Sequence, residues 1–279
     1  MLYWLISGRS RAVLNRKAQP GGAALGASDI IKLVRTCHAS GIAPDGSAAD
    51  YAAVDAVLAP RRERFYNGLL ATPPDAFADR AQAFSFWINL YNLLILDAVT
   101  TFRVRRATVG LTQGIMRFFE KAAYNVGGHR FSANDIENGV LRANAPHPAA
   151  RGPHFRDGDP RRAAVLEPID PRVHFALNCA SRSCPYARVY EPERLDEQLD
   201  AAIRAFVAGD VQVDSVAREV TLSKIFAWFA PDFEDAGGAL ATAIQYMPTD
   251  DGVRLWLEQH RESVTVKFRP YDWHLNTPS

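Results

Sequence analysis

The chain has few cysteines, no excess of either charge and no long apolar run. Three cysteines in 279 residues are too few for a disulfide framework, and the odd number leaves at least one thiol unpaired within a single chain. A net charge of +1 offers no basic surface to nucleic acid or to an acidic membrane, so neither is a predicted partner. No segment reaches the roughly 20 uninterrupted apolar residues of a membrane span.

The amino terminus also lacks the pattern of a secretory signal. Its apolar run, residues 2–7, is short, and the basic residues follow this run, whereas a signal peptide places them before a longer apolar core. The expectation is therefore a cytoplasmic protein, with export as the alternative if the true start lies upstream.

The composition predicts one globular domain behind a flexible amino-terminal arm. Residues 1–27 contain Gln-Pro-Gly-Gly and no apolar periodicity, which is typical of a loose arm. Residues 28–279 are long enough to bury a core without help from disulfides or metals. Helical patterns dominate 28–123, including a short helix predicted over 115–123, and strand and hairpin patterns appear within 124–279. The predicted fold class is α+β.

Residues 83–99 are apolar nearly all round, which predicts a central buried helix and not a surface helix. We expect it to pack on a small, mostly antiparallel sheet, with other helices around it. Asn89 and Asn92 lie three residues apart, on one face. A buried carboxamide without hydrogen bonds costs roughly 1–3 kcal/mol, so both need partners. Those partners are either loop backbone or a catalytic imidazole that one of the two asparagines orients.

A hairpin and a short helix are predicted next in the chain. A Gly-Gly pair before His129 suits a two-residue turn, which leaves His129 either at the surface or facing a cleft. Ser132 as N-cap, with Asp135 three residues later, predicts the helix. Residues 144–170 form a long Pro-rich loop. Loops of this length are usually functional or mobile, so this one either covers a site or is a solvated excursion.

The segment 172–188, RVHFALNCASRSCPYAR, holds two cysteines and a histidine within eleven residues. Alternation predicts a strand that has Val173, Phe175 and Leu177 on one face and His174 on the other. The small polar residues that follow then predict a turn.

Cys184 stands at the end of this turn, directly before Pro185, which suits the first position of a helix. A thiol at a helix N-terminus meets unpaired backbone N–H groups and the positive end of the helix dipole, and both favour the reactive thiolate. We therefore expect Cys184 to be a nucleophile with His174 as its base, and Cys179 is the alternative nucleophile.

Five stretches together resemble the domain of unknown function 547 family. They are FWINLYNLLI at 86–95, ANDIENGVLR at 133–142, HFALNCASRSCP at 174–185, LSKIFAWFAPDF at 222–233 and YDWHLN at 271–276. The resemblance implicates His174, Cys179, Cys184, Asn89 and Asn92, but it implies no activity, because the family is named for lacking one. Bacterial members are often exported, whereas this sequence shows no recognisable signal and departs from them in that respect.

The combination of these cysteine, histidine and asparagine residues also resembles that of papain-like and transglutaminase-like enzymes. These enzymes place a cysteine, a histidine and an asparagine around a central helix packed on a sheet, although their order along the chain differs from the order here. The similarity favours an analogous fold.

The first predicted function is a thiol-dependent hydrolase or acyltransferase acting on a peptide, amide or ester. Cys184 would attack the carbonyl carbon, His174 would act as base and then as acid, and Asn89 or Asn92 would hold the ring in the right tautomer.

Further residues complete this predicted site. The loop that contains Ser181 and Ser183 would supply backbone N–H groups for the oxyanion. Asp135 and Glu137 are the alternative groups to orient the imidazole, and His129 is a secondary candidate.

Two further functions stay open. The primary prediction includes no metal and no cofactor, but His174, Cys179, Cys184 and His129 together would supply nitrogen and sulfur ligands to zinc. The third reading is a non-enzymatic interaction module, in which Cys179 and Cys184 are buried thiols or form a disulfide across the loop. Substrate, partner and oligomeric state are left open by the sequence.

Overall fold

The computed structural model describes residues 12–77, 79–107, 117–249 and 252–278. Its α-helices are α1 (Ala27–Gly41), α2 (Tyr51–Leu58), α3 (Arg62–Ala71), α4 (Arg80–Thr101), α5 (Arg117–Lys121), α6 (Leu195–Asp210), α7 (Lys224–Trp228), α8 (Gly238–Tyr246) and α9 (Gly252–His260). Its strands are β1 (Ala123–Val126), β2 (His129–Ser132), β3 (Gln212–Asp214), β4 (Glu219–Leu222) and β5 (Thr265–Phe268).

Shorter helical turns link these elements. Those of 3₁₀ type are Ala59–Arg61, Pro160–Ala164, Pro171–Phe175, Pro192–Arg194 and Ala230–Ala236, and Asp135–Leu141 is a π-helix. This arrangement of many helices with little strand confirms the predicted α+β class.

Helix α4 is the centre of the core, as its apolar circumference predicts. Every residue from 83 to 99 is buried, and α1 and α2 pack beside the helix. It meets the β1–β2 hairpin through Trp87, whose ring lies 4.9 Å from that of Phe131, and through Asp97, which accepts a hydrogen bond from Tyr124. By length and composition α4 alone among the described helices could cross a bilayer, but 94% of its apolar window is buried inside the protein, as expected for a core helix.

The β1–β2 hairpin turns at Gly127 and Gly128, whose φ angles are 56° and 86°, as predicted. Ser132 and Asp135 cap the next element reciprocally: the Ser132 N–H donates to the Asp135 carboxylate, and the Asp135 N–H donates to the Ser132 hydroxyl. The predicted short helix is present, but as a π-helix. Its Gly139 is required by packing, because a Cβ there would lie 2.2 Å from the ring of Phe155.

The second sheet has the order β3–β4–β5. Strands β3 and β4 form an antiparallel hairpin, and β5 runs parallel to β4, in the region where strand and hairpin patterns are predicted. Helix α7 follows β4 directly, capped by Ser223, and carries Trp228 towards the functional cleft described below.

Part of the predicted amino-terminal arm is held in place. Leu14 donates its N–H to the carbonyl of Ala123, and Asn15 makes two hydrogen bonds to the backbone of Asn125. The described residues 12–26 are therefore not loose, whereas residues 1–11 lie outside the described part of the chain. The helix predicted over 115–123 is α5, and residues 115 and 116 of that prediction also lie outside the described part.

The strand predicted at His174 is wrong. Pro171–Phe175 is a 3₁₀ helix, started by Pro171 and capped by Asp170, which accepts from the N–H of Arg172. The alternation is misleading because residues 173–178 are all buried, so the segment has no solvent-facing side and does not need a sheet. The helix predicted after Cys184 is also wrong, since residues 185–191 have no regular secondary structure.

Candidate functional site

Cys179 and Cys184 form a disulfide, with 6.1 Å between their Cα atoms. The four-residue loop between them is fixed by backbone hydrogen bonds: the N–H groups of Arg182 and Ser183 donate to the carboxy-terminal segment at residues 274 and 272, and the N–H of Cys184 donates to the carbonyl of Ser181. These three N–H groups are not free to bind an oxyanion, so residues 182–184 do not supply the backbone donors predicted from this loop.

Hydrogen-bond donors surround the two sulfur atoms. The Cys184 sulfur accepts from the N–H of Cys179 at 2.8 Å, and the hydroxyl of Tyr271 lies 3.3 Å from each sulfur. Ser181 Oγ lies 3.2 Å from the Cys179 sulfur. Burial raises the pKa of the Tyr271 hydroxyl, so this group stays a proton donor.

The third cysteine, Cys37, lies away from this loop. It is a free thiol, fully buried on α1, and burial raises its pKa to about 12. It is therefore a small core residue.

The two ring nitrogens of His174 have different surroundings. Its Nε2 is 2.8 Å from Oδ2 of Asp232, and its Nδ1 is buried without a hydrogen-bond partner among the described residues. The ring stacks on Phe229, with 4.0 Å between centroids. Burial lowers the pKa of His174, against the opposing effect of Asp232. The ring is therefore neutral, with its proton on Nε2 and a free lone pair on Nδ1.

Asp232 is fixed in turn by Arg142. The guanidinium binds the carboxylate in a fork, with Nε 2.6 Å from Oδ2 and Nη2 2.8 Å from Oδ1. Arg142 also donates to the side chain of Asn138 and the carbonyl of Pro146. Burial alone would raise the pKa of Asp232, but the hydrogen bonds from His174 and Arg142 lower it to about 2. Asp232 is thus a permanent carboxylate that orients the imidazole.

The two asparagines of α4 hold loop backbone. Asn89 donates to the carbonyl of Tyr190 and accepts from its N–H. Asn92 donates to the carbonyl of Ala176 and accepts from the N–H of Asn178, so it fixes the chain on both sides of residue 177. The expectation that one of them orients the imidazole is wrong, because Asp232 does so.

Glu137 projects from the π-helix into the same cleft as His174. Its carboxylate accepts one long hydrogen bond, 3.4 Å from the hydroxyl of Tyr91. Burial raises the pKa of Glu137 to about 7, although the charge of Arg142 opposes the shift. Glu137 does not orient the imidazole, but it is a carboxyl group that carries a proton for part of the time at neutral pH.

Two other predicted residues lie elsewhere. The buried carboxylate of Asp135 contacts His154 at 2.9 Å and Arg161 at 3.1 Å, a network that ties the 144–170 loop to the π-helix. His129 pairs with Val126 at the hairpin turn. The described residues contain no group of three or more His, Cys, Asp or Glu side chains arranged to hold a metal ion, so the alternative zinc set that included His129 is wrong.

His174, Glu137, Tyr271 and the disulfide line one cleft of about 400 Å³, called the aromatic cleft below. Its lining residues are Tyr91, Phe119, Asn134, Glu137, Asn138, His147, Pro148, Ala149, His174, Leu177, Cys179, Cys184, Pro185, Ile225, Trp228, Phe229, Tyr271 and Trp273. The 147–149 segment belongs to the long Pro-rich loop, so part of this loop lines the cleft.

Asp232, Arg142 and Tyr271 were not singled out from the sequence, although each lies in one of the five family-like stretches. Arg142 ends ANDIENGVLR, Asp232 is the last charged residue of LSKIFAWFAPDF, and Tyr271 begins YDWHLN. A charged residue inside a strongly apolar stretch needs a partner when the stretch is buried. That rule would have selected Asp232, whereas ANDIENGVLR is half polar and gives no such signal for Arg142.

Residues 75–207 match the family model described as "Protein of unknown function, DUF547". The match includes α4, the π-helix and the disulfide loop, whereas Asp232 and Tyr271 lie beyond it. No curated protein and no solved structure matches the chain, so the papain-like or transglutaminase-like analogy stays a prediction.

Proposed function

Since the chain carries a domain of the DUF547 family, for which the family description gives no activity, we propose a function from the chemistry of the aromatic cleft. The proposed function is a thiol-dependent hydrolase or acyltransferase that acts once the Cys179–Cys184 disulfide has been reduced. Its substrate is an amide, ester or peptide.

One observation carries this proposal: a single cleft contains a cysteine pair and a neutral imidazole with a bare Nδ1. A base of this kind accepts a thiol proton, and a carboxylate on its other nitrogen stabilises the imidazolium that forms. Asp232 supplies that carboxylate, and Arg142 keeps it ionised. The arrangement has the roles of a cysteine–histidine–aspartate site.

The reaction begins after reduction of the disulfide. The proton of the Cys184 thiol moves to Nδ1 of His174, and the thiolate attacks the carbonyl carbon. The bond to the leaving group then breaks, and the leaving group takes the proton from His174. Water or a second acceptor displaces the acyl group from sulfur and restores the thiol.

The shorter hydrogen bond favours Cys184 over Cys179 as the nucleophile. The Cys184 sulfur accepts from a backbone N–H at 2.8 Å, whereas the Ser181 and Tyr271 hydroxyls lie 3.2 and 3.3 Å from the Cys179 sulfur, and a closer donor stabilises a thiolate more. Because the N–H groups of residues 182–184 are occupied, Tyr271 and protonated Glu137 are candidate donors to the oxyanion.

The cleft walls indicate the class of acyl group. Phe119, Ile225, Trp228, Phe229 and Trp273 provide apolar and aromatic surface, and none of the described lining residues is Lys or Arg. An uncharged apolar or aromatic acyl group suits such a cleft better than an anionic one.

A pair of single cysteine variants tests the proposal. Cys179→Ala frees Cys184 permanently, so we expect turnover of aromatic and aliphatic p-nitrophenyl esters without any reductant, and a trapped acyl group on Cys184 by mass spectrometry. Wild-type protein should need reduction first, and Cys184→Ala should be inactive in every condition. Cys37→Ala is the matched control. Wild-type turnover by Cys184→Ala would exclude Cys184 as the nucleophile.

The disulfide itself favours a second candidate, a non-enzymatic interaction module with structural cysteines. This candidate is supported if Cys179→Ala and Cys184→Ala lose stability equally and neither variant acquires an acyl group. His174→Ala gives an independent readout: it should slow alkylation of Cys184 near neutral pH in the Cys179→Ala background. An unchanged rate there would remove His174 as the base.

A further inference from the structure

A second cleft, of about 170 Å³, lies against the disulfide and is called the arginine cleft here. Cys184 and Tyr271 line both clefts, whereas Cys179 lines the aromatic cleft alone. Arg182, Arg188 and Arg269 also line the arginine cleft. A molecule bound there therefore lies against Cys184 and beside three arginine side chains.

Two of these guanidinium groups are available to a ligand. The side chains of Arg182 and Arg188 make no hydrogen bond or ion pair within the described part of the chain, although Asp272 exerts some electrostatic influence on Arg182. The Asp272 carboxylate bonds to the ring and the N–H of His274. Guanidinium groups bind carboxylates in a forked geometry, so two unpaired ones predict an anion-binding site.

Asp210 adds a hydrogen-bond acceptor to this cleft of arginine donors. Arg269 Nη1 lies 3.4 Å from Oδ1 of Asp210. Oδ2 of Asp210 is buried and has no hydrogen-bond partner in the part of the chain that the structure describes, and Asp210 lines the cleft. Such an oxygen accepts a hydrogen bond from a ligand N–H or ammonium group. The cleft therefore suits a ligand that has both carboxylate and N–H groups.

We propose that the arginine cleft binds a carboxylate-bearing thiol of the amino-acid or peptide type, which exchanges with the disulfide at Cys184. The ligand carboxylate binds Arg182 and Arg188, and its N–H group binds Asp210. This inference deepens the proposed function, because the exchange releases the Cys184 thiol that the acyl transfer needs.

The exchange balances in two steps. The thiolate of the ligand attacks the Cys184 sulfur, the Cys179–Cys184 bond breaks, and Cys179 leaves as a thiolate that takes a proton from water. A second ligand thiolate attacks the ligand sulfur of the mixed disulfide and releases Cys184. Two thiols are oxidised to one ligand disulfide, and the protein disulfide is reduced to two thiols.

The test measures the rate at which small thiols reduce the oxidised full-length protein at low salt, expressed per thiolate. Glutathione is compared with neutral 2-mercaptoethanol and cationic cysteamine, with alkylation and peptide mass analysis as the readout. We expect glutathione to react about tenfold faster than the neutral thiol, cysteamine to react more slowly than it, and the trapped glutathione adduct to be on Cys184.

Variants identify the groups responsible. Arg182→Gln/Arg188→Gln should abolish the preference for glutathione, whereas Arg261→Gln, an exposed arginine outside the cleft, should retain it. Asp210→Asn should lower the rate with glutathione more than the rate with 3-mercaptopropionate, which carries a carboxylate but no N–H group. Unchanged rates in the double arginine variant, or an adduct on Cys179, would overturn the inference.

The result is independent of acyl transfer. The esterase test of Cys179→Ala uses a protein without the disulfide, so its failure leaves the exchange rates unaffected. If glutathione shows no rate advantage over the neutral thiol, the expected esterase activity of Cys179→Ala is likewise unaffected.

Discussion

Oδ2 of Asp232 lies 2.8 Å from Nε2 of His174, and this contact decides which ring nitrogen can accept a proton. Because a carboxylate only accepts hydrogen bonds, Nε2 carries the ring proton. Nδ1 then has a free lone pair, on a ring that lines the aromatic cleft. The same Oδ2 accepts from Nε of Arg142 at 2.6 Å, so one carboxylate oxygen joins the imidazole to a buried guanidinium.

Asp232→Asn should destabilise the protein strongly, since it leaves the buried charge of Arg142 without a counter-charge. The expected loss in the free energy of unfolding is about 3–5 kcal/mol, measured by urea denaturation. Asp196→Asn is the control, because its contact with Arg172 is solvent-exposed and should change stability by less than about 0.5 kcal/mol. Equal denaturation midpoints for the two variants would contradict the burial of the Arg142–Asp232 pair.

Glu137→Gln should change how stability depends on pH. The pKa of Glu137 is raised from 4.5 to about 7 in the folded protein, so between these values the folded state holds a proton that the unfolded chain has lost. Wild-type stability therefore falls as pH rises through this window, by up to about 3 kcal/mol from this group. The variant lacks this decline. Its free energy of unfolding, relative to that of wild type, should therefore increase from pH 4.5 to pH 7.

Denaturation curves at several pH values measure that difference, with the exposed Glu193→Gln as the control. A constant difference between Glu137→Gln and wild type over the whole window would mean that the folded pKa of Glu137 is not raised.

Asn89→Ala should destabilise the protein by about 3 kcal/mol, since it leaves the buried N–H of Tyr190 without its side-chain partner and removes one of the two side-chain donors to the Tyr190 carbonyl, the other being Ser85. This exceeds the expected cost of Cys184→Ala, about 2 kcal/mol from the loss of a short disulfide loop. Thermal or chemical unfolding of both variants checks the order, and exposed Gln259→Ala serves as the reference. Identical midpoints for Asn89→Ala and Cys184→Ala would contradict the role of Asn89 as a backbone anchor.

Native-state alkylation should distinguish the three cysteines. Without reductant, no thiol should label. After reduction Cys179 and Cys184 should label, and Cys37 should label only on unfolding, since it is fully buried. Reduction should also lower the free energy of unfolding by about 2 kcal/mol, and Cys179→Ser/Cys184→Ser should be insensitive to reductant. Labelling of Cys184 in the unreduced wild type would contradict the disulfide.

Much of the fold follows from local pattern. Residues 83–99 are apolar on every side, so burial of α4 is the only arrangement that removes this surface from water. The Gly-Gly turn, the Ser132–Asp135 cap and the β3–β4 hairpin depend on neighbouring residues, and local conformational preference predicts them.

The disulfide segment shows where local pattern fails. Alternation around His174 predicts a strand because it treats histidine and asparagine as solvent-facing. Here Asn92 makes hydrogen bonds to the backbone on both sides of residue 177. Asp232, 58 residues away in the sequence, accepts a hydrogen bond from His174. Long-range hydrogen bonds therefore replaced the partners that a sheet would have supplied.

The sequence by itself determined the buried helix, the short hairpins and the presence of a cysteine–histidine segment, because each depends on neighbouring residues. Only the tertiary structure decided which group orients His174, that Cys179 and Cys184 are joined, and that Arg182 and Arg188 are unpaired beside Cys184. These features depend on distances between segments far apart in the chain, and no periodicity in the sequence encodes such distances.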